Sequence, residues 1–188
     1  MNDEELIEAY THGDDFSFQE LIRRTLKPVF NFVYLYVQNT DETEDIVQDT
    51  FFKAWKYMSR FKKGHAWKPW VFTIARNTTL DHIKKKKALP FSTLDVDEDA
   101  DPFSDTVPDL GPLADELFER AHDAEELSDA LSKLRPEYHS VVMLHYHQGL
   151  TFEEIAIVMS APMNTVKSWH RRALDQIKEE VGNARAPK

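Results

Sequence analysis

The chain has 188 residues, 41% of them hydrophobic, and a formal net charge of −10 at pH 7. This length is enough for one medium-sized domain or two small ones. The chain contains no cysteine, which excludes disulfides, zinc sites with thiolate ligands and cysteine nucleophiles. No apolar run approaches the roughly 20 residues of a membrane-spanning helix, and the acidic residues after Met1 are unlike a signal peptide. We therefore expect a cytoplasmic protein with no membrane-inserted segment.

Charge is segregated along the chain. Residues 1–52 carry 3 basic and 12 acidic side chains, residues 53–87 carry 11 and 1, residues 88–124 carry 1 and 11, and residues 125–188 carry 8 and 9. Such blocks repel nucleic acid from most of the surface and attract it at one place. The acidic net charge therefore leaves room for one localised nucleic-acid site.

The first part of the chain predicts helices. A short helix over residues 3–11 has acidic residues at its N-terminal end, where they suit the helix dipole. The next helical pattern is interrupted or restarted at Pro28, and residues 29–37, apolar nearly all round, predict a central buried helix. A turn follows, with Asp41 or Thr43 as the candidate N-cap of the next helix.

That next helix presents two different faces. At 100° per residue, an apolar face typical of a core stripe collects Val47, Phe51, Ala54, Trp55 and Met58. The opposite face collects Asp45, Gln48, Asp49 and Phe52. An exposed phenylalanine among carboxylates and an amide is typical of a protein-docking patch. The alternative is that another part of the chain covers Phe52.

Residues 53–87 combine positive charge with aromatic rings. The rings are those of Trp55, Tyr57, Phe61, Trp67, Trp70 and Phe72. Basic side chains neutralise phosphates and aromatic faces stack on unpaired bases. The other interpretation is a solvated basic face whose aromatic residues are core, but for the whole cluster we favour nucleic-acid contact. The loop over residues 61–70, marked as non-helical by Gly64 and Pro69, is suited to hold a base pulled out of a duplex.

The remainder divides into a linker and a second helical segment. Residues 88–124 contain four prolines and one basic residue, and predict a linker without a core of its own. Further on, Thr151 and Glu154 form a capping box before a helix of about eight residues. A turn over residues 160–163 then leads to a second helix capped by Asn164 or Thr165, which is helix-turn-helix spacing.

The second helix of this motif predicts a buried and an exposed side. The inward residues are Val166, His170, Ala173 and Ile177. The outward residues are Lys167, Ser168, Arg171, Arg172 and Asp175. A recognition helix in the DNA major groove uses its N-terminal turns in this way. The alternative is an ordinary amphipathic surface helix.

Several of these segments resemble one protein family. Residues 45–55, 70–77 and 80–87 resemble the second conserved region of bacterial RNA polymerase sigma factors, and residues 151–174 resemble the fourth. The match is to the compact extracytoplasmic-function (ECF) group, and it covers about 140 residues of the chain. The resemblance implies an all-α protein with two small helical domains joined by an acidic linker. The implied parts are a region-2-like bundle (1–87), the linker (88–124), a region-4-like helix-turn-helix domain (125–183) and a tail (184–188).

In that family the acidic helix docks on the clamp helices of the polymerase's largest subunit, and the basic segment captures and melts the promoter's minus-ten element. The helix-turn-helix reads the minus-thirty-five element. The resemblance thus implies a transcription initiation factor that is not an enzyme and needs no cofactor. Its implied partners are core RNA polymerase, including the flap of the second-largest subunit, promoter DNA and a possible anti-sigma factor.

The resemblance also assigns residues to each role. Polymerase binding falls to Asp45, Gln48, Asp49 and Phe52. Minus-ten contacts fall to Lys62, Lys63, His65, Trp67, Arg76, Asn77, Lys84 and Lys85. Minus-thirty-five contacts fall to Asn164, Thr165, Lys167, Ser168, Arg171 and Arg172. The sequence departs from the family pattern at Ser160 and Asn164, where glycine is common, and at Trp169, where arginine is usual, which predicts an altered promoter preference.

Two other classes of protein are possible alternatives, an enzyme with a metal site and a stand-alone DNA-binding regulator. His139, His145 and His147 could indicate a metal site, but few carboxylates lie near them in the sequence, and the segment has the pattern of a core helix. No glycine-rich phosphate loop or hydrolase motif is present. A stand-alone helix-turn-helix regulator would leave residues 45–87 unexplained. Such a regulator binds duplex DNA alone, whereas a sigma factor needs core polymerase, so a gel shift separates the two.

Overall fold

A computed structural model describes residues 1–61, 64–88 and 124–184, and every regular element in these ranges is helical. The helices are α1 (Asp3–Thr11), α2 (Asp15–Val37), α3 (Thr40–Tyr57), α4 (Trp67–Ala88), α5 (Ala124–Ser132), α6 (Pro136–Val142), α7 (Phe152–Met159) and α8 (Met163–Ala184). A 3-10 turn (Met58–Arg60) follows α3, and a π-helical turn (Met143–His147) follows α6. The predicted all-α fold is confirmed. Residues 89–123 of the predicted linker lie outside the described residues.

The chain forms two compact units. The first contains α1 to α4, and the second contains most of the chain from α5 to α8. Among the described residues, no helix is long and apolar enough to cross a bilayer.

The core of the first unit is built around α2, which contacts α1, α3 and α4, while α3 also contacts α4. Leu21, Val29 and Phe32 of α2 are fully buried, and so is Phe72 of α4. The rings of Phe32 and Phe72 meet edge to face, with centroids 5.4 Å apart. This geometry is favourable for aromatic pairs, and it fixes α4 against the central helix.

Pro28 lies inside a continuous helix, because α2 runs unbroken for 23 residues. The prediction that Pro28 interrupts or restarts the helix is therefore wrong. A proline inside a helix costs about 3 kcal/mol, since it lacks an N–H donor and its ring meets the preceding turn. Burial of a Leu, Val or Phe side chain contributes about 1.5–3 kcal/mol, so burial of Leu21, Val29 and Phe32 along the same helix offsets that cost.

The N-cap of α3 is Asn39, whose side-chain oxygen accepts a hydrogen bond from the Glu42 N–H at 2.9 Å. The prediction of Asp41 or Thr43 as the cap is wrong, because both residues lie in the first turn. Thr43 is buried, and its hydroxyl donates to the Asn39 carbonyl at 2.7 Å. The polar string before this helix offered several capping residues, and its composition alone did not fix which one ends the turn.

The second unit has its own core, contributed by α5, α6 and α8. Its buried residues are Ala130, Leu134, Tyr138, Val142, Ala173, Leu174, Ile177 and Val181. Because α8 contacts both α5 and α6, one side of this long helix is committed to packing. Val166, His170, Ala173 and Ile177 are all buried, as the sequence pattern predicted.

The helix-turn-helix is formed by α7 and α8. The capping box before α7 is confirmed, since the Thr151 N–H donates to Glu154 Oε2 at 2.8 Å and the Glu154 N–H donates to Thr151 Oγ1 at 3.2 Å. Helix α7 has the expected eight residues. Helix α8 begins at Met163, and the Val166 N–H donates to the Pro162 carbonyl at 3.1 Å. Asn164 and Thr165 therefore lie in the first turn of α8, and the prediction that one of them caps it is wrong.

Ser160 in the turn of this motif has a φ of 49°, which is a left-handed conformation that disfavours side chains. Replacing it with glycine removes about 1–2 kcal/mol of backbone strain, while the added freedom of glycine in the unfolded chain returns about 0.5–1 kcal/mol. We expect Ser160→Gly to raise the free energy of unfolding by roughly 0.5–1 kcal/mol, measured as a higher midpoint in denaturant unfolding.

The matched control is Ser160→Ala, which removes the hydroxyl but keeps the Cβ. It should give no stabilisation. An equal gain from alanine would show that the hydroxyl, and not the backbone conformation, carries the cost.

Candidate functional site

The outer side of α3 carries an acidic and aromatic surface. Its predicted members Asp45, Gln48, Asp49 and Phe52 are all exposed, and the Phe52 side chain is 58% exposed. The reason is visible on the opposite side of the helix, where Val47, Phe51, Ala54 and Met58 are buried. A helix with one side fixed in a core must present the other to its surroundings. The structure does not support the alternative that another part of the chain covers Phe52.

Trp55 belongs to this exposed surface and not to the core. The side chain is 55% exposed, and its ring lies 6.0 Å from the ring of Phe52, centroid to centroid. The prediction of Trp55 as a core residue is therefore wrong. At 100° per residue Trp55 falls at the edge of the apolar stripe, and a large ring there can turn either way. We call Asp45, Gln48, Asp49, Phe52 and Trp55 together the docking face.

An open groove borders the docking face between α2 and α3. Its volume is about 510 Å³, and its walls include the apolar side chains of Leu26, Phe30, Val47 and Phe51. Gln48 lines the groove as well, so the groove and the docking face are continuous on α3.

The outer side of α4 carries the basic surface. Asn77, Lys84 and Lys85 are exposed, and Arg76 is half-buried. Asn77 and Lys84 are seven residues apart, close to two helical turns, so they lie on the same side of the helix. We call these four residues the basic face of α4. The fully buried residues of α4 include Val71, Phe72 and Ala75, while Ile74, Leu80 and Ile83 are half-buried.

Trp67 is not part of any DNA-accessible surface. It is the first residue of α4 and only 2% exposed. Its Nε1–H donates to Thr25 Oγ1 at 3.4 Å, and its ring meets Phe18 edge to face with centroids 6.0 Å apart. The prediction that it lies in a loop and meets a base is therefore corrected. Pro69 was expected to lie in a non-helical loop, but it lies in the first turn of α4. Proline is tolerated there because the N–H groups of a first helical turn have no partner in the helix.

The other loop residues have different outcomes. His65 is exposed, as a base-contacting residue must be. Lys62 and Lys63 lie outside the described residues.

Helices α3 and α4 are joined by polar contacts that sequence analysis did not find. Lys53 Nζ donates to Thr78 Oγ1 at 3.0 Å. Glu42 Oε1 accepts from Lys86 Nζ at 2.6 Å, and Glu42 Oε2 lies 3.1 Å from His82 Nε2. These hydrogen bonds, that of Lys86 first, hold the pKa of the Glu42 carboxyl below its ordinary value. The residues joined by these contacts are 25 to 44 apart in sequence, so no local pattern could have indicated them.

The candidate recognition helix α8 presents a mixed outer surface. Asn164 is exposed, and the other five predicted contacts are half-buried: Thr165, Lys167, Ser168, Arg171 and Arg172. Lys167 and Arg171 are four residues apart and share a side of the helix. Arg172 is turned toward the scaffold, since its Nη1 donates to the Tyr138 hydroxyl at 3.4 Å. Trp169, at the position where the family usually has arginine, is partly buried against the core of the second unit.

A cluster of rings supports α8 from behind; the sequence pattern predicted that His170 points inward and that the segment containing His145 belongs to a core helix. The Tyr146 hydroxyl lies 3.0 Å from His170 Nε2, and His145 Nδ1 lies 2.8 Å from the Leu150 carbonyl oxygen. The His145 ring stacks on Phe152 at 4.6 Å. His145 therefore contacts both the backbone before α7 and the rings of Phe152 and His170 in the helix-turn-helix.

The neighbouring histidines were weighed as metal ligands. Burial, followed by the charge of His147, lowers the pKa of His139. Within the described ranges, no three His, Asp or Glu side chains are grouped so as to hold a metal ion.

Comparison with known proteins agrees with this geometry. Residues 21–89 match the family model described as Sigma-70 region 2, and residues 124–177 match Sigma-70, region 4. The ECF RNA polymerase sigma-E factor of Salmonella typhimurium is 30% identical over 188 residues, covering 96% of this chain and 95% of that protein. The RNA polymerase sigma-H factor of Pseudomonas aeruginosa is 26% identical, covering 93% and 91%.

Two solved structures share the fold. Sigma factor RpoE, crystallised with the anti-sigma factor NepR from Bartonella quintana, aligns with a TM-score of 0.61 at 24% identity, covering 89% of this chain and 98% of that one. CnrH, solved with the cytosolic domain of CnrY, aligns with a TM-score of 0.62 at 20% identity, covering 98% and 99%.

Two helical units, the first with paired acidic and basic helices and the second with a helix-turn-helix, define a promoter-recognition factor of bacterial transcription. The chain belongs to the sigma-70 family of RNA polymerase sigma factors, in its ECF group. It is therefore a transcription initiation factor that binds core RNA polymerase and directs it to promoters, and the stand-alone regulator is not favoured.

Proposed function

We propose that the docking face of α3 attaches this sigma factor to core polymerase, at the clamp helices of the largest subunit. The observation that carries the proposal is the exposed pair of Phe52 and Trp55 rings beside the Asp45 and Asp49 carboxylates. Aromatic anchors inside a polar rim are the arrangement of interface hot spots. The carboxylates favour a partner with basic side chains around an apolar contact.

The basic face of α4 holds the minus-ten element after it opens. Lys84 and Lys85 neutralise phosphates, and Asn77 offers both a donor and an acceptor to a base or a backbone oxygen. Arg76 and the exposed His65 belong to the same proposal, and so do Lys62 and Lys63 on the strength of the sequence. Trp67 is removed from it, because a buried ring offers no face for a base to stack on.

Helix α8 lies in the major groove of the minus-thirty-five element. Exposed Asn164 in its first turn, with Thr165 and Ser168, reaches base edges, while Lys167 and Arg171 bind phosphates or guanines. Arg172 positions the helix through Tyr138 and also reaches a phosphate. The Tyr146–His170 contact keeps the helix at the depth from which these side chains act.

Three further points complete the proposal. The second unit also contacts the flap of the second-largest polymerase subunit.

An anti-sigma factor holds the chain inactive by covering these surfaces, which is supported by the two related structures solved with NepR and with the cytosolic domain of CnrY. The protein works in the cytoplasm, without a cofactor or a chemical step of its own.

A mixing experiment tests the proposal as a whole. The purified chain and bacterial core polymerase are applied together to a size-exclusion column at low salt, and the complex is used for run-off transcription from fragments upstream of this protein's gene. We expect co-elution and a defined transcript, and no gel shift of the same duplex by the chain alone. A strong shift without core polymerase would instead support a stand-alone regulator.

Phe52→Ala should weaken binding to core polymerase by roughly 1–3 kcal/mol, because it removes an aromatic anchor from the centre of the interface. Trp55→Ala should have an effect of the same sign. Affinity is measured by titrating core enzyme against the labelled full chain. Phe16→Ala is the matched control, since Phe16 is 77% exposed on α2 but lies outside the docking face. Equal affinity for Phe52→Ala and wild type would remove Phe52 from the interface.

Arg171→Gln should weaken promoter binding of the polymerase complex by about 1 kcal/mol or more, through loss of one charged contact to the groove. Core affinity should not change, because Arg171 lies on the second unit's DNA side. The measurement is a gel shift of holoenzyme on its promoter fragment. Lys178→Gln, an exposed position two turns later on α8, should have little effect. Parallel loss of core and promoter binding would indicate misfolding.

A further inference from the structure

The exposed lysines near the end of α4 differ in their surroundings. Lys84 and Lys85 have no ion pair within the described part of the chain. Lys86 is also exposed, at 66%, yet its ammonium group lies 2.6 Å from Glu42 Oε1. The basic end of α4 therefore contains one lysine that already has a protein counter-ion.

The position of Glu42 explains why it reaches α4. Its N–H donates to the Asn39 cap, which fixes the residue in the first turn of α3. Because α3 packs along α4, the carboxylate points across to His82 and Lys86, and it contacts both. The Glu42 side chain is 28% exposed and the Lys86 side chain 66% exposed, so the contact lies at the surface, where salt weakens it.

We propose that Glu42 is an internal counter-ion that restrains the basic face of α4, so that a DNA phosphate must compete with Glu42 for Lys86. This inference rests on the proposed function of α4 as a DNA-binding helix. It adds a residue of the acidic helix α3 to the control of DNA affinity, outside both the docking face and the predicted DNA contacts.

Charge and geometry indicate that Glu42 lowers the affinity of α4 for DNA. A phosphate near Lys86 also approaches the Glu42 carboxylate, and like charges repel. Lys86 cannot neutralise a phosphate without giving up its contact with Glu42, which then keeps only His82, so the free chain neutralises one phosphate fewer than its lysines would allow. The hydrogen bond from Lys86 lowers the pKa of the Glu42 carboxyl, because the contact favours its charged form.

The opposite role for Glu42 predicts the opposite change in DNA affinity. If Glu42 served to orient Lys86 toward DNA, its removal would weaken DNA binding and not strengthen it. One substitution therefore separates the two roles. Glu42→Gln keeps the shape of the side chain and removes its charge.

The test is fluorescence anisotropy of a labelled single-stranded oligonucleotide titrated with the full chain over a range of salt concentrations. We expect Glu42→Gln to bind about three- to tenfold more tightly at about 50 mM salt. The slope of log affinity against log salt should steepen by about 0.7, the value for one added single-strand phosphate contact. In the Lys86→Gln background, the further change Glu42→Gln should give much less gain.

Asp41→Asn is the matched control for charge. Asp41 is exposed in the same first turn, and its substitution removes an equal charge without touching Lys86. A similar gain from Asp41→Asn would reduce the effect to net charge and overturn the specific role of Glu42. Unchanged or weaker binding by Glu42→Gln would overturn it as well. Circular dichroism confirms folding, and Glu42→Asp, too short to keep both contacts, serves as the second variant.

A last variant separates this inference from the function on which it rests. The pair Lys84→Gln and Lys85→Gln should weaken binding of the oligonucleotide. If that pair has no effect, the basic face of α4 is not the DNA surface. If the pair weakens binding while Glu42→Gln changes nothing, the DNA surface stands and the counter-ion role fails.

Discussion

The packing of α3 against both α2 and α4 is the constraint from which the functional surfaces of the first unit follow. Val47, Phe51 and Ala54 are buried on one side of α3, so its rotation about its own axis is fixed. That rotation places Phe52 and the acidic side chains outward, and it aims Glu42 and Lys53 at α4. The proposed polymerase-binding surface and the proposed DNA-binding surface thereby lie on neighbouring helices of one small unit, and neither helix can turn without disturbing the other.

The opposite charges of α3 and α4 make this arrangement both useful and costly. An acidic helix beside a basic one repels DNA from the acidic side and attracts it on the basic side, which separates the two proposed partners in space. The same closeness lets carboxylates of α3 neutralise lysines of α4, as the Glu42–Lys86 contact shows. DNA affinity in such a unit depends on which basic residues remain without an internal partner, and a count of lysines overstates it.

Sequence periodicity predicted the helices, the exposed side of α3 and the buried side of α8, because each depends on local spacing that packing then preserves. It failed at Trp55 and Trp67, whose chemistry suits either a core or a binding surface. Trp55 is exposed, whereas Trp67 is buried by neighbours such as Thr25 and Phe18, more than 40 residues away from it in sequence. It failed at Pro28 for the converse reason, since tertiary burial outweighed a strong local signal.

The second unit shows how a departure from the family pattern acts through packing as well as through contact. Trp169 replaces a usual arginine and is partly buried against the core that holds α8. The side chain at this position therefore carries no charge and adds an aromatic contact to the core of the second unit. Arg172, three residues further on, donates to the Tyr138 hydroxyl at 3.4 Å, so it also helps to hold α8 on the scaffold. Under the proposed function, the contacts to promoter DNA then fall mainly to Asn164, Lys167, Ser168 and Arg171 on the outer side of the helix.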